Sequence, residues 1–189
     1  KATTAAAAAS LDLGSGIRVT SILGGHMRLD GGAMFGVVPR VLWEPACVPD
    51  ARHRVASACR CLLVQTPDAV VLVDTGCGDR FDAKGRDMFA VDPAVTLAGS
   101  LVAAGVTPAD ITHVLFTHLH FDHAGTLEDF PAARFHLQEQ EMQFATGPCM
   151  AHSYFNGAYT VDHVIDMVRH VYSGRVVFVA GDAEISPGV

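Results

Sequence analysis

Short β-type runs alternate along the chain with a few stretches of helical period. "IRVTSILGGHMRLDGG" predicts a strand that ends in a glycine-rich turn. "MFGVVPRVLWEP" is apolar but punctuated by proline, which suggests a packed loop with short extended pieces. "ASACRCLLVQT" and "AVVLVDTG" read as a hairpin turning at "PDA". Its second strand is almost unbroken Val and Leu, the pattern of a strand buried on both faces. After a polar stretch, "CGDRFDAKGRD", the period lengthens. "DPAVTLAGSLVAAG" predicts a helix with Asp92 as N-cap, Pro93 at its first position and Gly105 past its end. "HVLFTH" and "ARFHLQ" are further strands, the latter running into a short helix, "EQEMQFAT". In "VDHVIDMVRHVY" the helical period places Val161, Val164, Ile165, Val168 and Val171 on one face. "RVVFVAGDAEISPGV" predicts a strand, a turn at Gly181-Asp182 and the start of another strand. No repeat or linker interrupts this order. Mixed hairpins and crossovers give an α/β (α+β) class. A single domain is expected over 17–189, C-terminally incomplete because a half-formed hairpin leaves an edge unpaired.

Composition narrows the picture. With 189 residues, half of them hydrophobic and 17% charged, the chain can bury a sizeable core. A formal charge of −7 gives no general attraction to nucleic acid or anionic membrane. No apolar run approaches the ~20 residues of a membrane span. The five cysteines, Cys47, Cys59, Cys61, Cys77 and Cys149, are odd in number and irregularly spaced. A reducing, cytoplasmic setting is therefore the default, with periplasm and secretion left open. Cys59 and Cys61, two apart on a strand, read as small buried hydrophobes. The Ala-rich start, residues 1–16, reads as a disordered leader.

The densest chemistry is "FTHLHFDHAG", residues 116–125. His118 and His120 are two apart and point the same way in extended chain, and Asp122 and His123 follow where Gly125 allows a turn. Imidazole nitrogens and a carboxylate oxygen suit a borderline divalent ion such as Zn²⁺. Four such groups could serve two ions but cannot complete two sites. His26, His136, His152, His163 and His170 read as ordinary surface or supporting histidines, and Gly181-Asp182 as turn residues.

"HLHFDHAG" resembles the signature of the metallo-β-lactamase-fold hydrolases. The upstream "VLVDTGCG" resembles that family's strand and turn carrying a carboxylate that orients a liganding imidazole, here Asp74. "LDGGAMFGVVPRVLW", the Phe within His-Phe-Asp-His and the terminal "GDAEISPGV" resemble the N-acyl homoserine lactonase-like branch. The resemblance implies an αββα sandwich, mainly its N-terminal half. It implies two divalent ions, zinc first, with iron, manganese or cobalt open. His118 and His120 would serve one ion, Asp122 and His123 the other, with the remaining ligands beyond Val189.

The implied reaction is opening of a lactone ring by a metal-bridging hydroxide, with Asp122 passing the proton to the leaving oxygen. Tyr154, Phe155 and Tyr159 either line an acyl pocket or pack the last helix. The implied partner is a small-molecule lactone or ester, with no nucleic acid and no membrane, and a homodimer is an open assembly. Another ester, thioester or phosphotriester substrate, or an inactive fragment, are the alternatives.

Overall fold

The computed structural model describes residues 9–189. A seven-stranded sheet runs in sequence order, β1 (Ser10–Gly14), β2 (Ile17–Asp30), β3 (Arg54–Gln65), β4 (Val70–Val73), β5 (His113–Leu115), β6 (Arg134–Gln138) and β7 (Val176–Val179). The first four strands pair antiparallel and the last four parallel. The helices are α1 (Gly31–Phe35), α2 (Arg40–Trp43), α3 (Ala83–Phe89), α4 (Leu97–Ala103), α5 (Glu139–Ala145), α6 (Ser153–Asn156) and α7 (Val161–Tyr172). Among the described residues no helix is long and apolar enough to cross a membrane.

One register row explains the core. Leu63, Leu72, Val114 and Phe135 pair across β3 to β6 and are all fully buried. Leu97 and Leu101 of α4, Leu127, Phe130 and Met167 of α7 close over that row. Each such side chain contributes about 1.5–3 kcal/mol by leaving water. In β4 both Val71 and Leu72 are wholly buried, as its unbroken apolar run predicts. Cys59, Cys61 and Cys77 are buried free thiols.

Local chemistry overrides several expectations. Residues 10–14, inside the stretch read as a leader, form β1 against β2, because Leu11 and Leu13 alternate with polar residues before a tight Gly14-Ser15-Gly16 turn. Residues 1–8 of that stretch lie outside the described residues. The proline-punctuated stretch forms two helical turns, α1 and α2, the first capped by Asp30, which accepts from the Ala33 amide. The polar stretch likewise contains α3, capped by Asp82.

Helix α4 starts at Leu97 with Thr96 as its cap, because Asp92 caps a separate turn through the Ala94 amide. The buried face of α7 is His163, Val164, Asp166 and Met167, while Val161 and Ile165 are exposed. Rotation of the helix is set by Asp166, which pairs with both Arg80 and Arg169. His136 and His163 are correspondingly buried, not on the surface. The segment after Gly181 closes on itself in a turn, Val189 N–H donating to the Ser186 carbonyl, and adds no further strand to the described sheet.

Candidate metal centre

The site stands where three backbone segments cross at the C-terminal ends of β4 and β5. The bulge in β2 at Gly24-Gly25, the loop after β4 and the histidine loop are pressed together. A Cβ on Gly76 would lie 2.3 Å from the Gly24 carbonyl oxygen, and one on Gly125 2.2 Å from the Cys77 carbonyl carbon. Only glycine permits these approaches. The Thr75 amide donates to the His123 carbonyl at 2.7 Å and the Gly125 amide to the Gly76 carbonyl at 2.9 Å, so the two loops are stitched along their length.

Asp74 sits at the crossing, 5% exposed and in a left-handed conformation (φ 58°) that Asp tolerates better than most residues. Its Oδ1 accepts from the Thr117 amide at 2.8 Å, and its Oδ2 from the Thr117 hydroxyl at 2.8 Å and from His123 Nδ1 at 2.8 Å. His118 Nδ1 lies 3.0 Å from the Thr117 hydroxyl. With the Thr117 proton directed to Asp74, His118 Nδ1–H donates to the hydroxyl oxygen. Both imidazoles are then held through Nδ1, which leaves Nε2 as the free lone pair.

The rings of His118 and His123 are 4.0 Å apart and those of His118 and His120 4.4 Å, each between centroids. His123 Nε2 and Asp122 Oδ2 are 3.5 Å apart. Adjacent donors of a tetrahedral Zn²⁺ site, with bonds of about 2.0–2.2 Å, stand roughly 3.4 Å from each other. The donor types suit a divalent ion, and the Asp122–His123 pair has this spacing. Among the described residues, no group of three or more His, Cys, Asp or Glu side chains is arranged to close around one ion. Electrostatics differ within the cluster. Burial and the neighbouring His123 and His120 hold His118 below the ordinary imidazole range. The hydrogen bond that His123 donates to Asp74 raises His123 above it.

Helix α5 supplies a support that the sequence does not announce. Glu141 Oε1 accepts from the Leu119 amide at 2.8 Å and from the Tyr159 hydroxyl at 2.9 Å. The Tyr159 ring stands edge-on to His120 at 4.6 Å, so Tyr159 packs against a candidate ligand. Burial and Glu141 push its phenol well up from the usual range. Phe155 connects to Tyr159 through Phe144, while Tyr154 is 89% exposed at the end of the row. A cleft of about 320 Å³ opens beside Thr117, between His136, Gln138 and Val179, and the candidate ligands do not line it. Thr117 was legible only as the residue before the first histidine.

Comparison with known proteins shows what this geometry is similar to. Residues 54–140 match the model of the metallo-β-lactamase superfamily. A "Probable metallo-hydrolase" of Mycobacterium tuberculosis is 34% identical over 127 residues, covering 60% of this chain and 41% of the relative. The N-acyl homoserine lactonase AiiB of Agrobacterium fabrum is 35% identical over 99 residues, covering 45% of this chain and 36% of the relative. The matches thus span about two fifths of these relatives' length.

Among solved structures, a probable metal-dependent hydrolase from Staphylococcus aureus superposes with a TM-score of 0.76 at 29% identity, over 94% of this chain and 64% of that one. AidC, a dizinc quorum-quenching lactonase, shares the fold at a TM-score of 0.70 and 19% identity, over 95% of this chain and 63% of its own. The matched segment contains Asp74, Thr117 and all four candidate ligands, so the likeness to the metallo-β-lactamase superfamily falls on the candidate site itself.

Proposed function

We propose that this chain contributes four ligands, His118, His120, Asp122 and His123, to the metal centre of a hydrolase that opens lactone rings of the N-acyl homoserine type. The observation that carries the reading is the double anchoring on Asp74. It holds His123 directly and His118 through Thr117, so that both present Nε2. His118 and His120 would hold one divalent ion, and Asp122 and His123 the other. Divalent ions bound there supply Lewis acidity toward a carbonyl and make water nucleophilic at neutral pH. The protein's own part is orientation. Asp74 fixes the imidazoles before any ion arrives, which lowers the cost of assembling the site. Asp122, 3.5 Å from His123 Nε2, would carry a proton to the leaving alkoxide. The lactonase named among the relatives supports the substrate class. The aromatic row Tyr159, Phe144 and Phe155 offers apolar surface for an acyl chain.

The test is metal content of the full-length protein that contains this chain, together with its turnover on a panel of lactones, thioesters and phosphotriesters. Lactone turnover that requires bound metal and is lost in His120→Ala and Asp122→Asn is the expected result. Preference for a thioester or phosphotriester would move the substrate class. Absence of both metal and turnover would refute the reading.

A further inference from the structure

We propose that Glu141 is a positioning residue that fixes His118 and His120 by clamping the residue between them. The inference rests on the metal-centre reading for its consequence, but its structural content stands on the hydrogen bonds. Leu119 is wholly buried, and its side chain joins the main core. Its amide is taken by Glu141 Oε1 at 2.8 Å, across 22 residues of sequence. The core therefore holds the Leu119 side chain and Glu141 of α5 its amide, leaving the flanking imidazoles little freedom. The same oxygen accepts from the Tyr159 hydroxyl at 2.9 Å.

Tyr159 meets His120 twice. Its ring stands edge-on to the imidazole, and the two residues form an antiparallel backbone bridge next to the Phe121 amide, which donates to the Ala158 carbonyl at 2.9 Å. One carboxylate oxygen thus ties together α5, the middle of the His-Leu-His run and the segment that walls His120. Without it the Leu119 amide has no acceptor and the Tyr159 ring no anchor. What the site needs from position 141 is an acceptor oxygen. Glutamine provides one and alanine does not.

The experiment compares Glu141→Ala, Glu141→Gln and Tyr159→Phe with the parent protein. Metal-free samples are read by amide exchange at Leu119 and by the imidazole NMR signals of His118 and His120. Zn²⁺ affinity is read by chelator competition. Glu141→Ala is expected to speed Leu119 exchange at least about tenfold, to shift or broaden both imidazole signals and to weaken Zn²⁺ binding about 10- to 100-fold. Glu141→Gln restores all three. Tyr159→Phe disturbs His120 but leaves the Leu119 amide protected, and it carries the test if the alanine variant does not fold.

Unchanged imidazole signals in both Glu141→Ala and Tyr159→Phe would overturn the proposal. So would a glutamine variant as damaged as the alanine one. Parent protein that binds no Zn²⁺, yet loses imidazole order in Glu141→Ala, would uphold the clamp and overturn the metal-centre reading alone.

Discussion

Replacing Asp74 by Asn is the sharpest perturbation of this site, because it exchanges one carboxylate oxygen for NH₂ and predicts a proton shift. Asn tolerates the left-handed backbone at φ 58°, so the main chain need not move. The Thr117 amide can only donate, so the single carbonyl oxygen of Asn must take the place of Oδ1. The amide NH₂ then faces His123 Nδ1, where Oδ2 stood at 2.8 Å. Two donors confront each other unless the imidazole moves its proton to Nε2. The fold loses one charge-assisted bond, about 1.5–3 kcal/mol. A metal centre loses the Nε2 lone pair of His123, an affinity loss of about 10- to 100-fold, or about 1.4–2.7 kcal/mol.

Urea unfolding gives the first quantity and Zn²⁺ competition the second, while long-range ¹H–¹⁵N NMR reads the His123 tautomer directly. The pH dependence has a definite sign. Asp74 raises the His123 pKa, so the pair stabilises the metal-free fold fully below the unfolded imidazole value. That contribution disappears as pH rises through the raised one, and Asp74→Asn should lack it. An Asn variant with parental Zn²⁺ affinity and an unchanged His123 tautomer would refute the reasoning.

Two further predictions use other parts of the fold. His136 is 6% exposed, and burial, His113 and Arg134 lower its pKa to about 4. The unfolded chain therefore binds a proton first as pH falls below ~6.5, and stability should drop by up to about 1.4 kcal/mol per pH unit until about pH 4. His136→Leu should flatten that slope in urea titrations across pH, and an unchanged slope would contradict the burial argument. Gly125→Ala drives a methyl to 2.2 Å from the Cys77 carbonyl carbon and 2.5 Å from the Gly78 nitrogen, both rigid backbone. It should cost about 1–3 kcal/mol or more, beyond the roughly 1–2 kcal/mol of strain alone expected for Gly174→Ala, which at φ 72° meets nothing within 4 Å. Equal urea midpoints for the two variants would show that the loops part easily.

What the sequence discloses and what it hides divide along a physical line. Features carried by periodicity or by neighbours within a few residues were legible. The unbroken β4, the hairpin before it and the His-Leu-His-Phe-Asp-His run all belong to this class. Asp74 was legible through its motif, and the structure adds the reason for its position, since it reaches Thr117 and His123 across 43 and 49 residues.

Features decided by a distant partner were not legible. The valines of α7 mimic an apolar stripe, whereas an ion pair from Arg80 to Asp166, 86 residues away, sets the rotation of the helix. At the start of α4, Asp92 and Thr96 are both good caps, and only the tertiary path selects between them. Glu141 carried no signal for the same reason. Its helix looks like any acidic first turn, and its importance comes from the Leu119 amide that the sheet brings to it. The motif thus supplies the candidate ligands, while long-range contacts supply their orientation. Variants at Asp74, Thr117 and Glu141 should therefore separate site geometry from ligand chemistry more cleanly than variants at the histidines themselves.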